Sequence, residues 1–190
     1  MTVTSESFIK DVVDHEMTIE NDNGVHRSLF FGVKGCGNKH FRIVTWPGHL
    51  AISGDMGDFI FARTPDMFNF FRNGGGYINK TYWGEKLKAV STFGGYMKFD
   101  WSTAVDSLTD TLISCNEGID DEDVKLKLNA VLRCTENDEF GFVEMVRNWD
   151  EDDTGLNLDP CDLYGTEKFT YQYVWCLRAI VWGIARYDHV

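Results

Sequence analysis

A chain of 190 residues, 43% hydrophobic and 14% aromatic, can bury a sizeable core as one domain or one domain with a small appended unit. That composition excludes disorder over most of its length. The formal net charge of -12 excludes a simple basic nucleic-acid-binding protein and points to basic partner surfaces.

Residues 5–15 predict a short helix, with Phe8, Val12 and Val13 on one side. Asn21, Asp22, Asn23 and Gly24 form a turn cluster. Residues 27–33 are β-rich. Residues 40–46 alternate, sending Phe41, Ile43 and Thr45 to one face and Arg42, Val44 and Trp46 to the other. Pro47-Gly48 makes a tight turn into a return strand over 49–53. After the turn at 54–57, residues 58–63 give a further strand. Four short strands with short connections predict an antiparallel meander.

Thr64-Pro65 opens a greasy helix carrying Met67, Phe68, Phe70 and Phe71, which Gly74, Gly75 and Gly76 end. A second helix is predicted over 79–90. Helices follow over 103–114, from Asp120 onward, and over 140–149, with an acidic loop over 150–166. The last helix, 168–187, is apolar on most of its circumference, as core helices are; a homodimer formed through it is the lesser alternative. The fold class is α+β: an N-terminal antiparallel β-meander with helices packed on it, then a mostly helical acidic part. The expected division is 1–114 and 115–190, packed as one unit.

The charge is uneven. Residues 115–170 hold 16 Asp and Glu against 5 Lys and Arg, a net of -11; the remainder holds 14 against 13, a net of -1. The densest stretches are Asp120, Asp121, Glu122 and Asp123, then Asp150, Glu151, Asp152 and Asp153. They are the candidate partner-binding residues. Placed ahead of a helix, the first stretch also complements its dipole.

No constellation reads as a metabolic active site. Cys36, His40, His49 and Asp55 lack the paired spacing of a metal or thiol site. Asp150, Asp152, Thr154 and Gly155 match the start of a calcium loop, but Cys161 stands where the bidentate Glu belongs. Gly35 and Gly37 lack the third glycine of a dinucleotide loop. No cofactor or metal is expected. Basic residues between Lys34 and Lys88 are scattered and balanced by acids, so direct nucleic-acid binding is not expected. An alternative enzymatic site gathers Arg42, Trp46, His49 and Asp55 around the hairpin; its simpler reading is structural, with Trp46 packing and Asp55 capping its own turn. The five cysteines include no C-x-x-C pair, and residues 1–10 lack the apolar run of a signal peptide. The most apolar stretch, 173–184, is interrupted by Arg178 and too short to span a membrane. Free thiols in a cytoplasm are expected, with no membrane partner.

Four segments carry a resemblance: H-F-R-I-V-T-W-P-G-H-L at 40–50, S-G-D-M-G-D-F-I-F-A-R at 53–63, D-M-F-N-F-F-R at 66–72 and Y-W-G-E-K-L at 82–87. Together they make residues 5–115 resemble a family of small bacteriophage and prophage proteins. The resemblance assigns no catalytic residue. It implies a host bacterial cytoplasm and an anti-defence role, such as an anti-CRISPR or anti-restriction inhibitor. In such a role a carboxylate-studded surface replaces a DNA backbone on a host defence protein or nucleoprotein complex. A small nucleotide- or nucleic-acid-modifying enzyme and an oligomeric phage scaffold or regulatory protein are the competing readings.

Overall fold

The computed structural model describes residues 3–72, 77–92 and 94–190. The glycine run at 74–76, expected to end a helix, lies outside them. The chain divides into two compact units, 1–97 with 169–190 and 98–168.

The first unit is built on a six-stranded antiparallel sheet in simple chain order: β1 (Glu16–Asn23), β2 (His26–Gly32), β3 (Phe41–Trp46), β4 (His49–Gly54), β5 (Phe59–Ala62) and β6 (Leu87–Val90). The expected meander is present, extended by one strand at each edge. Alternation decides which side chains are buried. Leu29, Phe31, Phe41, Ile43, Leu50, Ile52, Phe59 and Phe61 all face the core and are essentially inaccessible, while Arg42, Val44 and Trp46 lie on the opposite face, half-buried. Helix α1 (Ser5–Val12) starts with a Thr4–Ser7 capping box, α2 spans Met67–Arg72 and α3 spans Lys80–Gly84.

The C-terminal helix α8 (Tyr171–Tyr187) fills the inner face of this sheet. Thr170 caps it, accepting the Tyr173 N–H at 3.2 Å. Its buried residues include Tyr173, Trp175, Leu177, Ile180 and Ile184, so the apolar circumference is taken up by the chain's own core. Where α8 crosses β2 and β3 it carries Gly183, whose absent Cβ would lie 2.8 Å from the Ile43 Cδ1 and 3.0 Å from the Phe31 ring.

In the second unit, α4 (Trp101–Cys115), α5 (Asp121–Leu132), α6 (Glu139–Arg147) and the short α7 (Glu151–Thr154) surround a separate core of Ala104, Leu108, Leu112, Val124, Leu128, Phe142 and Leu156. A 3-10 turn at Pro160–Asp162 follows. Strands β7 (Met97–Phe99) and β8 (Glu167–Phe169), where the chain passes between units, pair as a two-stranded sheet.

Several expectations are corrected. The boundary falls at 97/98 and 168/169 rather than at 114/115. The physical reason is α8: apolar on most sides, it buries itself against the N-terminal sheet instead of joining the acidic segment that precedes it. The helix expected over 79–90 stops at Gly84, and Leu87–Val90 pairs with β5. A side chain at position 84 would press on the Tyr96 ring at 3.2 Å. Glu16–Asn23, of which only the turn cluster from Asn21 was expected, is an edge strand. The first turn of α2 is served by Asp66, which accepts the Phe68 N–H at 3.0 Å, rather than by Thr64. The acidic stretch 150–166 is not all loop, since it contains α7. Among the described residues no helix is long and apolar enough to cross a membrane.

Candidate functional site

Both acidic stretches open helices. Asp120 is the N-cap of α5, accepting the Glu122 N–H at 3.0 Å, and Asp121, Glu122 and Asp123 form the exposed first turn. Asp150 caps α7, accepting from Asp152 N–H at 2.9 Å and Asp153 N–H at 3.3 Å, with Glu151, Asp152 and Asp153 exposed beyond it. Caps and first-turn carboxylates stabilise these short helices against the positive end of the dipole. Gly155, with φ 62°, closes α7. The residues that resemble a calcium loop are therefore folded into a capped helical turn. Among the described residues no group of three or more His, Cys, Asp or Glu is placed to hold a metal.

The division into units sharpens the charge asymmetry. Residues 98–168 hold 19 Asp and Glu against 6 Lys and Arg, a net of -13; the other unit holds 11 against 12, a net of +1. Of those six cations, Lys125 pairs with Glu122 at 2.8 Å, Arg147 approaches Glu144 at 4.0 Å, and Lys168 pairs with Asp100. That last contact, with the hydroxyls of Ser102 and Thr103, holds the Asp100 carboxyl well below its ordinary range. Lys127 donates to the Gly155 carbonyl at 3.1 Å. Among the described residues, most of this unit's carboxylates are exposed and form no ion pair.

One concavity stands out in this unit, a cleft of about 590 Å³ between the end of α5, α6 and α7. Its apolar lining includes Val131, Met145, Trp149 and Phe140, the last 72% exposed. Glu136, Glu144, Asp150 and Asp153 also line it, and among the described residues no Lys or Arg does. Its walls are fixed by local chemistry. Asp138 caps α6 by accepting the Gly141 N–H at 2.8 Å. A Cβ at Gly141 would lie 2.5 Å from the Glu136 carbonyl oxygen, so glycine lets α6 start tight against the preceding turn. Trp149 Nε1–H donates to the Leu156 carbonyl at 2.9 Å. Phe140, Glu144 and Trp149 were not singled out in the sequence. The available signal was the spacing of Phe140 and Glu144, which puts an exposed aromatic and a carboxylate on one helical stripe.

The alternative hairpin site is not assembled. Trp46 and His49 do meet, as register partners with stacked rings 5.0 Å apart. His49 Nδ1–H donates to the Pro47 carbonyl at 3.1 Å. Arg42, four residues back on the same face and therefore roughly 13 Å from Trp46 at strand rise, is held by Glu20 through contacts of 2.9 and 2.6 Å. Asp55 stands at the far end of β4, roughly 20 Å from His49 by strand rise. Its carboxylate accepts the Lys39 N–H at 2.7 Å rather than capping its own turn. His40 donates through Nδ1 to the Gly37 carbonyl at 2.6 Å, and Cys36 is exposed. Among the described residues these groups are held by separate local partners.

No protein-family model matches the chain, and neither a curated protein nor a solved structure matches it.

Proposed function

We propose that this protein is a phage-encoded inhibitor of a bacterial defence system. It acts in the host cytoplasm by binding a nucleic-acid-binding protein through its acidic unit. One observation carries the reading: a single compact unit of residues 98–168 bears a net of -13, while the remainder is nearly neutral. Grooves that hold nucleic acid are lined with Lys and Arg, and their electrostatic field attracts any surface studded with fixed anions. The short helices displaying Asp121–Asp123 and Glu151–Asp153 present such anions on capped, ordered backbone. The sheet of the other unit then serves as a scaffold. The resemblance to phage proteins supplies the biological setting, and it rests on the hairpin segments alone.

The test is affinity capture of the tagged protein from bacterial lysate at low and high salt, with bound proteins identified by mass spectrometry. The reading expects a CRISPR effector, restriction enzyme or other DNA-binding complex that is released at high salt. Capture of nothing at either salt, or of a partner indifferent to salt, removes it.

A further inference from the structure

We infer that the cleft between α5, α6 and α7 receives an arginine-bearing basic segment of the partner protein, an inference that rests on the acidic-inhibitor reading. The cleft's lining combines two chemistries. Half-buried Val131, Met145 and Trp149 give it an apolar and aromatic floor, to which the exposed Phe140 adds a ring. Exposed Glu136 and Asp153, with half-buried Glu144, give it an anionic rim. At about 590 Å³ it lies within the range of roughly 300–1,000 Å³ typical of ligand pockets.

Charge and shape together select the occupant. An anionic or neutral apolar ligand would strand the rim carboxylates under it without partners. A second copy of this chain carries a net of -12 itself and is repelled. A bare cation could sit over an aromatic face but would leave the apolar floor uncovered. An arginine satisfies both layers: its methylene stem covers the floor, its planar guanidinium stacks on an aromatic ring, and its N–H groups reach the rim carboxylates. Lysine offers a compact, strongly hydrated charge with no planar face, so it is the weaker fit. Glu144 is accessible for this role, because Arg147 approaches it only at 4.0 Å and is itself 73% exposed.

The experiment uses the full ¹⁵N-labelled chain titrated with a capped Arg-Leu-Arg-Leu-Arg-Leu peptide, in about 0.05 M and about 0.3 M salt. The Lys-Leu counterpart is run beside it. The expected result is saturable one-to-one binding, with amide shifts confined to residues 131–154 and weaker binding of the lysine peptide. Phe140→Ala, at a position too exposed to disturb the fold, should weaken the arginine peptide about tenfold. Glu144→Gln with Asp153→Asn should weaken it similarly. Asp106→Asn with Asp110→Asn, the same charge change on the exposed face of α4, should leave it within about twofold. Shifts spread over the whole acidic surface, or equal losses in the two charge-matched double variants, would overturn the cleft in favour of a diffuse field. If the peptide does not bind in the cleft but salt-sensitive capture of a host complex persists in Phe140→Ala, the cleft assignment fails and the inhibitor reading stands. If neither is seen, both fail.

Discussion

The Asp55 carboxylate accepts the backbone N–H of Lys39 at 2.7 Å, and Lys39 holds a left-handed backbone with φ 56°. That conformation is costly for a residue with a Cβ. Three contacts compensate. Besides Asp55 on its N–H, its ammonium pairs with Asp11, and its carbonyl accepts His15 Nε2–H at 2.9 Å. Asp11 in turn accepts Trp175 Nε1–H at 3.0 Å, so the loop before β3 is tied to α1 and α8. Asp55→Ala is expected to lower stability by about 1 kcal/mol in urea denaturation, the worth of one such bond. It should leave partner capture unchanged, because Asp55 shapes the fold rather than a site.

Gly183 lets α8 approach the sheet. Gly183→Val would drive two methyls into Phe31 and Ile43, both fully buried, with Phe31 stacked on Phe41 at 4.7 Å. The rings have little room to move, so overpacking should outweigh the gain in helix propensity and destabilise the protein by about 2 kcal/mol. A thermal melt of the variant checks it.

Arg42 is expected to be structural, which pH can show. Its guanidinium, with help from the Ser28 hydroxyl, lowers the Glu20 carboxyl from the ordinary 4.5 to about 2. A depressed folded-state value means that the pair's contribution is present above the unfolded value and is lost as pH falls from about 4.5 toward about 2. Both groups are well exposed, so the contribution is small. In Arg42→Ala, an NMR titration should find Glu20 moved back up toward its ordinary value, with Ser28 retaining part of the shift.

The cysteines provide a clock for opening. Cys36 and Cys134 are exposed, whereas Cys176 is buried, and desolvation pushes its thiol far up. Because the thiolate is the nucleophile, alkylation at neutral pH should modify Cys36 and Cys134 promptly. Cys176 should react slower by about three orders of magnitude, at the rate of unfolding of its unit. Prompt labelling of Cys176, read by peptide mass spectrometry, would contradict the packing of α8.

Much of the sheet was legible because its inner strands obey strict alternation: Phe41, Ile43 and Thr45 are buried, and Arg42, Val44 and Trp46 are less so, as the period of two requires. The edges were not. Glu16–Asn23 pairs on one side only and is exposed over most of its length, with Met17 alone partly buried and Met17 and Ile19 its only apolar residues, too short an alternation to carry a periodic signal. Leu87–Val90 is four residues long and follows a helix directly, and only its pairing with β5 makes it a strand. The division into units depends on α8 returning across more than seventy residues, which local patterning does not encode. For the site, Asp120 and Asp150 were visible as charge, and the first also as a helix start. The cleft needs Phe140 and Glu144 to meet Val131 and Asp150, a meeting that tertiary packing alone brings about.

The central claim is that the acidic unit carries partner binding through its fixed charge. The most direct test replaces Asp120–Asp123 and Asp150–Asp153 with their amides, Asn for Asp and Gln for Glu, and repeats the low-salt capture beside the unaltered protein. Asn caps a helix about as well as Asp, so the eight substitutions remove charge without uncapping α5 or α7. Loss of a DNA-binding host complex that duplex DNA also displaces from the unaltered protein is the expected result. Equal capture by the amide variant, with its fold intact by circular dichroism, would contradict the account.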